Sequence, residues 1–263
     1  MDAEGLVLGD GRVVTQDTLV EGVHFRRDWI TWRDLGYKAV AVNLSDLAAL
    51  GGQPEALLVA LAVPSETESG DVVELYEGLN EPGIPVLGGD TSRAERVTIT
   101  ITAIGRSDRV PGRSGARPGD VLVVTGPIGA AAAGLHVLAH GLEGFDDLVE
   151  RHRRPPIRLA EGRKLAQVAD AMIDLSDGIG ADAARIAERS GCRLVIDVDD
   201  LPVASRAGEV DDLPFWTMGE DYELLAALTP DDAQSSGFFV VGRCEEGSGV
   251  EPADLGGWDS FRR

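Results

Sequence analysis

Cysteine is scarce in this sequence, and the two cysteines do not form any of the common cysteine-based sites. Cys192 and Cys244 are the only cysteines among 263 residues. They form no C-x-x-C pair and have no histidine close by in the sequence, so the pattern predicts neither a disulfide framework nor a zinc site. We therefore expect the protein to reside in a reducing cytoplasm.

Positive charge is also scarce, which excludes a general nucleic-acid-binding surface. The chain has 24 Lys and Arg residues against 45 Asp and Glu residues, giving a formal net charge of −21. A surface of that sign repels the phosphate backbone of a nucleic acid. The excess acids must therefore be solvated, paired with cations inside the protein, or bound to metal ions.

Long hydrophobic runs are absent as well. No apolar run approaches the ~20 residues that a membrane helix needs, and the N-terminal segment MDAEGLVLGDG lacks the charged start and apolar middle of a signal peptide. We therefore expect a protein that is neither exported nor embedded in a membrane. With 43% hydrophobic residues, the chain is long enough for one large or two small domains, and we favour two.

The first part of the chain alternates between strand and helix patterns. Gly9-Asp10-Gly11 separates two β-rich runs and predicts a hairpin whose second strand ends at Asp17. Apolar residues at helical spacing over 34–52, followed by a glycine pair, predict a helix. The patterns further predict a strand over 55–64, a helix over 69–81, a strand and then a loop over 84–93, and an alternating strand over 96–106.

A segment rich in glycine, proline and arginine, residues 109–120, is the best candidate for a domain junction. We place the boundary at residue 112, which gives domains of residues 1–112 and 113–263. Beyond it the patterns predict strand 120–126, helix 129–142, a charged polar link over 143–158, helix 159–171, a strand and helix over 172–191, and strands in 193–203 and 237–244. Strands and helices intermix, so the sequence predicts an α/β or α+β fold.

Acidic residues recur at small-residue turns that follow or interrupt apolar elements. They are Asp17, Asp46, Asp90, Asp174 with Asp177, and Glu220 with Asp221. Carboxylates gathered in one cleft repel each other unless cations neutralise them. Mg²⁺ suits such oxygen ligands, especially where it is shared with substrate phosphates. The pattern therefore indicates a magnesium-dependent phosphate site.

Taken singly, most of these features have a simpler structural explanation. Ser176 or Asp177 could cap the helix that follows, and His24 alone is more typical of a satisfied core or surface imidazole. Arg113 fits a phosphate clamp and a salt bridge equally well. Asp46 is harder to explain in this way, because it lies within a helix among apolar neighbours, where an unpaired acid is costly.

Six segments, taken together and in order, closely resemble the thiamine-monophosphate kinase family of the aminoimidazole ribonucleotide synthetase superfamily. They are TQDTLVEGVHF, DLGYKAVAVNLSDLAALGG, LGGDTSR, RSGARPGD, MIDLSDGIG and GEDYELL, and the resemblance continues to GGWDSF near the C-terminus. It implies two domains, with N-terminal strands that pair across a homodimer and a mixed α+β C-terminal domain. It also implies in-line phosphoryl transfer from ATP to thiamine monophosphate, with several Mg²⁺ ions and, in some members, K⁺.

The resemblance also implies roles for individual residues. The metal cluster would comprise Thr15, Gln16, Asp17, Asp46, Asp90, Asp174 and Asp177. ATP would contact Tyr76, Gly89, Asp90, Arg113 and Ser176, and thiamine monophosphate would contact His24, Glu220 and Trp258. No covalent nucleophile is expected, because a phosphate oxygen of the substrate attacks ATP.

Departures from the family pattern leave alternatives open. Family members carry Gly-Asp-Asp near the N-terminus, but here Asp2 matches only the second acid, so either the start is truncated or the enzyme is weakened. Gln16 stands where a threonine is usual, and Met218 where a glycine is usual. One alternative is another ATP-using enzyme of the superfamily, such as a hydrogenase-maturation dehydratase or a selenophosphate synthetase, although the latter's N-terminal reactive cysteine is missing. The other alternative is a non-catalytic homologue that binds a nucleotide or a phosphorylated ligand.

Overall fold

Residues 5–257 are described by a computed structural model, in which two β-sheets follow one another along the chain. The first sheet contains β1 (Leu6–Val7), β2 (Arg12–Val20), β3 (Gln53–Val63), β4 (Val86–Arg93) and β5 (Thr98–Arg106). Two helices accompany it, α1 (Trp32–Ala49) and α2 (Ser69–Asn80). The first half of the chain thus forms one sheet with its helices.

The second sheet has six strands and carries the remaining helices. Its strands are β6 (Val121–Val124), β7 (Ala171–Asp174), β8 (Arg193–Ile196), β9 (Leu224–Leu228), β10 (Phe239–Glu245) and β11 (Gly249–Glu251). The helices are α3 (Ala130–His140), α4 (Asp146–Arg153), α5 (Leu159–Ala166), α6 (Ile179–Ser190), α7 (Ala207–Val210) and α8 (Pro230–Ser236). Within residues 5–257, no helix combines the length and hydropathy needed to cross a membrane.

Among residues 5–257, the first sheet is covered on only one face. Its strand order is β1-β2-β5-β3-β4, antiparallel except for the β3–β4 pair. Ile99, Ile101 and Ala103 of β5 are buried in the core that includes α1 and α2, whereas the residues between them are half-buried. Because side chains alternate along a strand, the opposite side of the sheet is an open face, formed by Leu58, Ala60, Thr100 and Thr102.

Helix α1 is almost completely buried, because it packs between the two sheets. The helix begins where Thr31 accepts a hydrogen bond from the Asp34 backbone N–H. Near its other end, Ala48 and Ala49 join a hydrophobic cluster formed with Met172 and Leu224 from the second sheet. Side chains of α1 can therefore reach both sheets.

The contact between α1 and α2 depends on two glycines. A Cβ atom on Gly36 would lie 2.1 Å from the Leu75 carbonyl oxygen, and one on Gly78 would lie 1.8 Å from the Arg33 carbonyl oxygen. Both distances are too short for any side chain, so the helices approach each other backbone to backbone.

The second sheet is covered on both faces and has the strand order β11-β8-β10-β6-β9-β7. Every residue of β9 is buried: Leu225 and Ala227 pack in one cluster, and Leu224, Ala226 and Leu228 pack in another. The sequence of a strand that is buried on both faces is a continuous apolar run, in which polar and apolar residues do not alternate.

Several element boundaries differ from the sequence-based predictions. The segment predicted as a charged link, residues 143–158, contains helix α4, whose Leu148 and Val149 are buried. Strand β9 was not predicted from the sequence. Strand β4 continues to Arg93, because it pairs with β3 along residues 58–63. Asp17 lies within β2 and does not end it, because β2 pairs with β5 from Arg12 to Val20.

Candidate active site

A cavity of about 700 Å³ lies between the two sheets and is lined by residues from both halves of the chain. Its polar lining includes Asp17, His24, Asp46, Arg113, His152, Asp174, Ser176, Asp177, Arg185 and Glu220. Eight of these ten residues were singled out by the sequence analysis; His152 and Arg185 were not.

Asp17 and Asp46 reach the cavity from β2 and α1. The Asp17 backbone N–H donates to Asn43 Oδ1 at 3.0 Å, while Asn43 Nδ2 donates to the Ala39 carbonyl at 3.0 Å. Thr15 Oγ1 donates to the Asn43 carbonyl at 3.2 Å. Buried Asn43 therefore fixes the strand that carries Asp17 against the helix that carries Asp46.

Asp174 enters the cavity at the end of β7 and is also held by α1. Ser45 Oγ donates to Asp174 Oδ2 at 2.6 Å, and both side chains are buried. Ser45 lies one residue before Asp46, so a single turn of α1 contacts or carries acids from both halves of the chain. Sequence analysis did not identify Ser45, although a polar residue inside an apolar helix is a usable signal.

Asp177 is paired with a cation from α6. Arg185 forms ion pairs with both Asp177 and Asp182. Asp182 is fully buried and accepts a hydrogen bond from the Asp177 backbone N–H at 3.0 Å. Arg185 thus neutralises one of the acids that line the cavity.

The phenol of Tyr222 lies within the electrostatic reach of these carboxylates. Burial raises the pKa of Tyr222 well above its usual value of 10.0, and the negative charges of Glu220, Asp17, Asp174 and Asp46 raise it further. Acids from β2, α1 and β7 therefore all lie close enough to Tyr222 to raise the pKa of its phenol.

The carboxylate oxygens around the cavity suit Mg²⁺, but they do not form one compact cage. Within residues 5–257, no group of three or more His, Cys, Asp or Glu side chains is arranged to hold one metal ion. Mg²⁺ is commonly held by one or two carboxylates and completes its shell with water and substrate phosphate oxygens. Asp17, Asp46 and Asp174, spread around one cavity, fit ions that are bound together with phosphates.

Glu220 also lines the cavity, and it contacts two buried basic side chains. Lys38 Nζ donates to Glu220 Oε2 at 3.1 Å, and His152 Nδ1 lies 3.1 Å from the same oxygen without the direction of a hydrogen bond. Burial by itself would raise the pKa of Glu220, but Lys38 and His152 outweigh it and hold the pKa at about 2. Glu220 is therefore a carboxylate at neutral pH.

The segment around Glu220 has an unusual backbone. Glu220 and Tyr222 have φ angles of 61° and 52°, and the Glu220 backbone N–H donates to the Ser176 carbonyl at 2.8 Å. A Cβ atom on Gly219 would lie 2.4 Å from that same carbonyl oxygen. The Gly219–Tyr222 segment is thus fixed against the loop that carries Ser176, at an energetic cost typical of functional sites.

His24 has a defined orientation in the turn after β2. Its Nδ1 atom accepts a hydrogen bond from the Val20 backbone N–H at 3.0 Å, so the neutral ring carries its proton on Nε2. Burial lowers the pKa of His24 below its usual value of 6.5. At neutral pH, His24 therefore presents an uncharged ring with one N–H donor.

Four of the described residues to which the resemblance gave a role do not line the cavity. Thr15 is buried beside Asn43, and Tyr76 packs against the first core. Gly89 and Asp90 are exposed on β4, and Trp258 lies outside the described residues.

Strand parity explains the position of Asp90. Asp17 pairs with buried Ile101, whereas Asp90 pairs with exposed Ala60, so the two acids point to opposite faces of the first sheet. Two strands lie between them, which corresponds to roughly 14 Å at ~4.8 Å per strand spacing. Gln16, by contrast, is among the residues that line the cavity, and its Oε1 accepts a hydrogen bond from Thr102 Oγ1 of β5 at 2.9 Å. The metal-binding roles of Asp90 and Gln16 stay predictions.

Comparisons with known proteins agree with this architecture. The family profile described as AIR synthase related protein, N-terminal domain, matches residues 2–107, and the corresponding C-terminal domain profile matches residues 117–246. A protein named thiamine-monophosphate kinase from Mycobacterium tuberculosis is 38% identical over 99% of this chain and 84% of that relative. One of the same name from Salmonella typhimurium is 42% identical over 80% of this chain and 69% of the relative.

Solved structures give the same result. A structure described as AaThiL complexed with AMPPCP and TMP has a TM-score of 0.89 and 33% identity, and the match covers 95% of this chain and 87% of that one. A hydrogenase maturation protein HypE has a TM-score of 0.81 at 17% identity, covering 100% of this chain and 94% of that one, and so shares the fold.

Proposed function

The chain belongs to the thiamine-monophosphate kinase family of AIR synthase related proteins, and we propose that it catalyses the ATP-dependent phosphorylation of thiamine monophosphate to thiamine diphosphate. A phosphate oxygen of thiamine monophosphate attacks the terminal phosphorus of ATP. The bond from that phosphorus to the bridging oxygen of ADP breaks, so the products are thiamine diphosphate and ADP.

One observation carries this proposal: acids from both halves of the chain share a cavity with a second, chemically different set of residues. Asp17, Asp46 and Asp174 line the cavity, and so do His24 and Glu220. The proposed reaction has the same two requirements, because the triphosphate of ATP and the phosphate of the acceptor need charge neutralisation, and the organic part of the acceptor needs recognition.

Magnesium supplies the charge neutralisation when it is bound with the phosphates. Asp17, Asp46 and Asp174 are the residues that would hold several such ions, and Asp177 would join them after release from Arg185. The protein's own contribution is positional: Asn43 holds the backbone of Asp17 and Ser45 holds the carboxylate of Asp174, so that both acids would meet the phosphates in a fixed arrangement.

The substrate end of the cavity suits a cationic aromatic ring. Phe25, Trp29 and Met218 line the cavity together with Glu220, which is ionised. Apolar and aromatic surfaces bind the faces of a flat heterocycle, and a carboxylate compensates its positive charge. Neutral His24 can donate a hydrogen bond from its Nε2–H group to the acceptor phosphate.

A direct assay tests the proposal. Purified protein with thiamine monophosphate, ATP and Mg²⁺ should produce thiamine diphosphate and ADP in equal amounts, measured by chromatography. Unphosphorylated thiamine serves as the control acceptor and should give no thiamine diphosphate. Ligand binding without any thiamine diphosphate would overturn the kinase assignment and favour a non-catalytic binding protein, and exchange of K⁺ for Na⁺ tests whether potassium assists.

We further propose that the open face of the first sheet is the interface of a homodimer. Leu58 on this face is 41% exposed, and Leu87 on the edge strand β4 is 71% exposed. Exposed apolar side chains on an uncovered sheet face are typical of association sites. The interface would use the N-terminal domain, for which we propose residues 1–112, with residues 113–263 as the C-terminal domain.

A further inference from the structure

Lysine is unusually rare in this chain, and one of its two lysines is buried next to the cavity. Of the 24 Lys and Arg residues, only Lys38 and Lys164 are lysines. The Lys38 side chain is 1% exposed, whereas lysine is almost never fully buried in proteins unless it is paired. A buried lysine in a chain that otherwise uses arginine for positive charge requires an explanation.

The ion-pair partner of Lys38 identifies what it does. Lys38 lies in α1, and its ammonium group spans the gap between the two halves of the chain to contact Glu220 Oε2 at 3.1 Å. Glu220 is 27% exposed and lines the cavity, whereas Lys38 is not among the lining residues. The lysine therefore lies behind the carboxylate, on the side away from the ligand space.

The geometry leaves the other carboxylate oxygen for a ligand. Lys38 and His152 both approach Oε2, and no hydrogen bond described for residues 5–257 uses Glu220 Oε1. The Glu220 backbone is itself fixed, because its φ angle is 61° and its N–H donates to the Ser176 carbonyl. Backbone and side chain are thus both restrained, and the restraint on the side chain comes from Lys38.

Stability alone does not account for this pair. A buried ion pair often contributes no more to stability than apolar residues of similar volume would, because both charges lose their hydration. The position of Lys38 in an otherwise apolar part of α1, among Ala39 and Val40, would accept a methionine of similar shape. What a methionine could not do is hold a carboxylate in place.

We propose that Lys38 is a positioning residue, whose ammonium group fixes the Glu220 carboxylate at the substrate end of the cavity without touching the substrate. This inference rests on the proposed function in one respect, namely that the organic part of the acceptor is recognised beside Glu220. The relationship between Lys38 and Glu220 itself does not depend on the identity of the substrate.

Steady-state kinetics of Lys38→Met test the role. The KM for thiamine monophosphate should rise by about tenfold or more, while kcat and the KM for ATP change by less than about twofold, because only acceptor binding uses Glu220. Lys164→Met is the matched control, since Lys164 donates to the Ser236 carbonyl away from the cavity, and it should leave all three constants unchanged. Equal losses in all three constants, or no change in the KM for thiamine monophosphate, would overturn the proposal.

Double variants show whether Lys38 acts through Glu220. In Lys38→Met/Glu220→Gln, the KM for thiamine monophosphate should equal that of Glu220→Gln alone, because the lysine has no carboxylate left to position. Lys38→Arg, which keeps the charge, should recover most of the affinity lost in Lys38→Met. If Lys38→Met does not fold, the double variant and Lys38→Arg still test the proposal. A KM for thiamine monophosphate that is clearly higher in the double variant than in Glu220→Gln contradicts it.

A spectroscopic measurement separates this inference from the kinase assignment. In protein labelled with carbon-13 glutamate, the Glu220 carboxyl resonance, identified by its absence in Glu220→Gln, should not titrate above about pH 4, since its pKa is about 2. In Lys38→Met it should titrate closer to its usual value of 4.5. His152, His24, Asp221 and Tyr222 also face Glu220 and are the same in both proteins. Absence of kinase activity with a shifted titration would refute only the proposed reaction, whereas an unshifted titration would refute the role of Lys38.

Discussion

Ser45 Oγ lies 2.6 Å from Asp174 Oδ2 and joins α1 of the first half of the chain to β7 of the second. Both residues are buried, and Asp46, the next residue after Ser45, lines the cavity. One short segment of α1 therefore sets the position of acids that are 128 residues apart in the sequence.

Removal of the Ser45 hydroxyl should reduce both stability and activity. A hydrogen bond to a charged group contributes about 1.5–3 kcal/mol, so Ser45→Ala should lower the free energy of unfolding by roughly that amount. Urea unfolding measures the change, and kcat should also fall, because Asp174 loses its fixed orientation. Ser235→Ala removes an exposed hydroxyl and is the control; an equal effect of the two variants would contradict the role of Ser45.

Replacement of Asp46 should change the magnesium dependence of turnover. Asp46→Asn removes a negative charge while keeping the shape, so we expect a loss of kcat of about 100-fold or more and a higher Mg²⁺ concentration for half-maximal rate. Mg²⁺ titrations of the rate measure both effects. Asp199→Asn changes an exposed acid of the second half and should have no effect; an unaltered Mg²⁺ titration for Asp46→Asn would remove Asp46 from the metal site.

Glu223 should be important for stability, although it does not line the cavity. Its fully buried carboxylate accepts hydrogen bonds from Arg158 at 2.6 and 2.7 Å, Arg151 at 3.0 Å and Thr125 at 2.7 Å. Removing one member of a buried charge network costs about 3–5 kcal/mol, so Glu223→Gln should lower the free energy of unfolding by that order.

The control for Glu223 is an exposed glutamate on α4. Glu150 lies 3.6 Å from Arg154 and is 60% exposed, so Glu150→Gln should change the free energy of unfolding by less than about 0.5 kcal/mol. Equal urea midpoints for the two variants would show that the Glu223 network does not stabilise the fold.

Asp221 should make the protein less stable as the pH rises. Burial raises its pKa well above the usual value of 3.8, even though the Gly129 backbone N–H donates to Asp221 Oδ1 at 2.7 Å. Between 3.8 and the raised pKa, the folded protein keeps a proton that the unfolded chain has released, so the free energy of unfolding falls by up to about 1.4 kcal/mol per pH unit.

The variant Asp221→Asn tests this pH dependence. It keeps an oxygen for the Gly129 N–H and removes the titration, so urea unfolding over a pH series should show a smaller decline at rising pH than the unmodified protein. A decline of the same size in both proteins would show that Asp221 ionises normally in the folded state.

The proposed homodimer makes a prediction about the open face. Leu58→Glu places a charge on this face and should convert the protein from dimer to monomer in light scattering after size-exclusion chromatography. Val73→Glu on α2 is the matched control, because Val73 is also exposed but lies away from that face, and its mass should equal that of the unmodified protein. A monomeric unmodified protein would refute the interface directly.

Local patterns predicted much of the fold. Alternating residues in β5 and helical spacing in α1 were sufficient to place those elements, because each has an extended apolar face. Helix α4 was missed because only Leu148, Val149 and His152 are buried in a segment otherwise rich in charge. Strand β9 was missed because an apolar run buried on both faces has no periodicity.

The candidate site was predicted less completely. Spacing and acidity pointed to Asp17, Asp46 and Asp174, and these side chains do share a cavity. Lys38 was not identified, because one cation inside an apolar helix has no partner visible in the sequence; Glu220, which pairs with it, lies 182 residues away.

The sequence by itself determined the chemical types available to the protein: an excess of acids at small-residue turns, few cysteines, and segments typical of one kinase family. Only the tertiary structure decided which acids come together. Asp17 and Asp90 belong to the same sheet, but the alternation of side chains along paired strands turns them to opposite faces. Burial of α1 between two sheets then brings Asn43, Ser45 and Lys38 to partners that no local pattern connects with them.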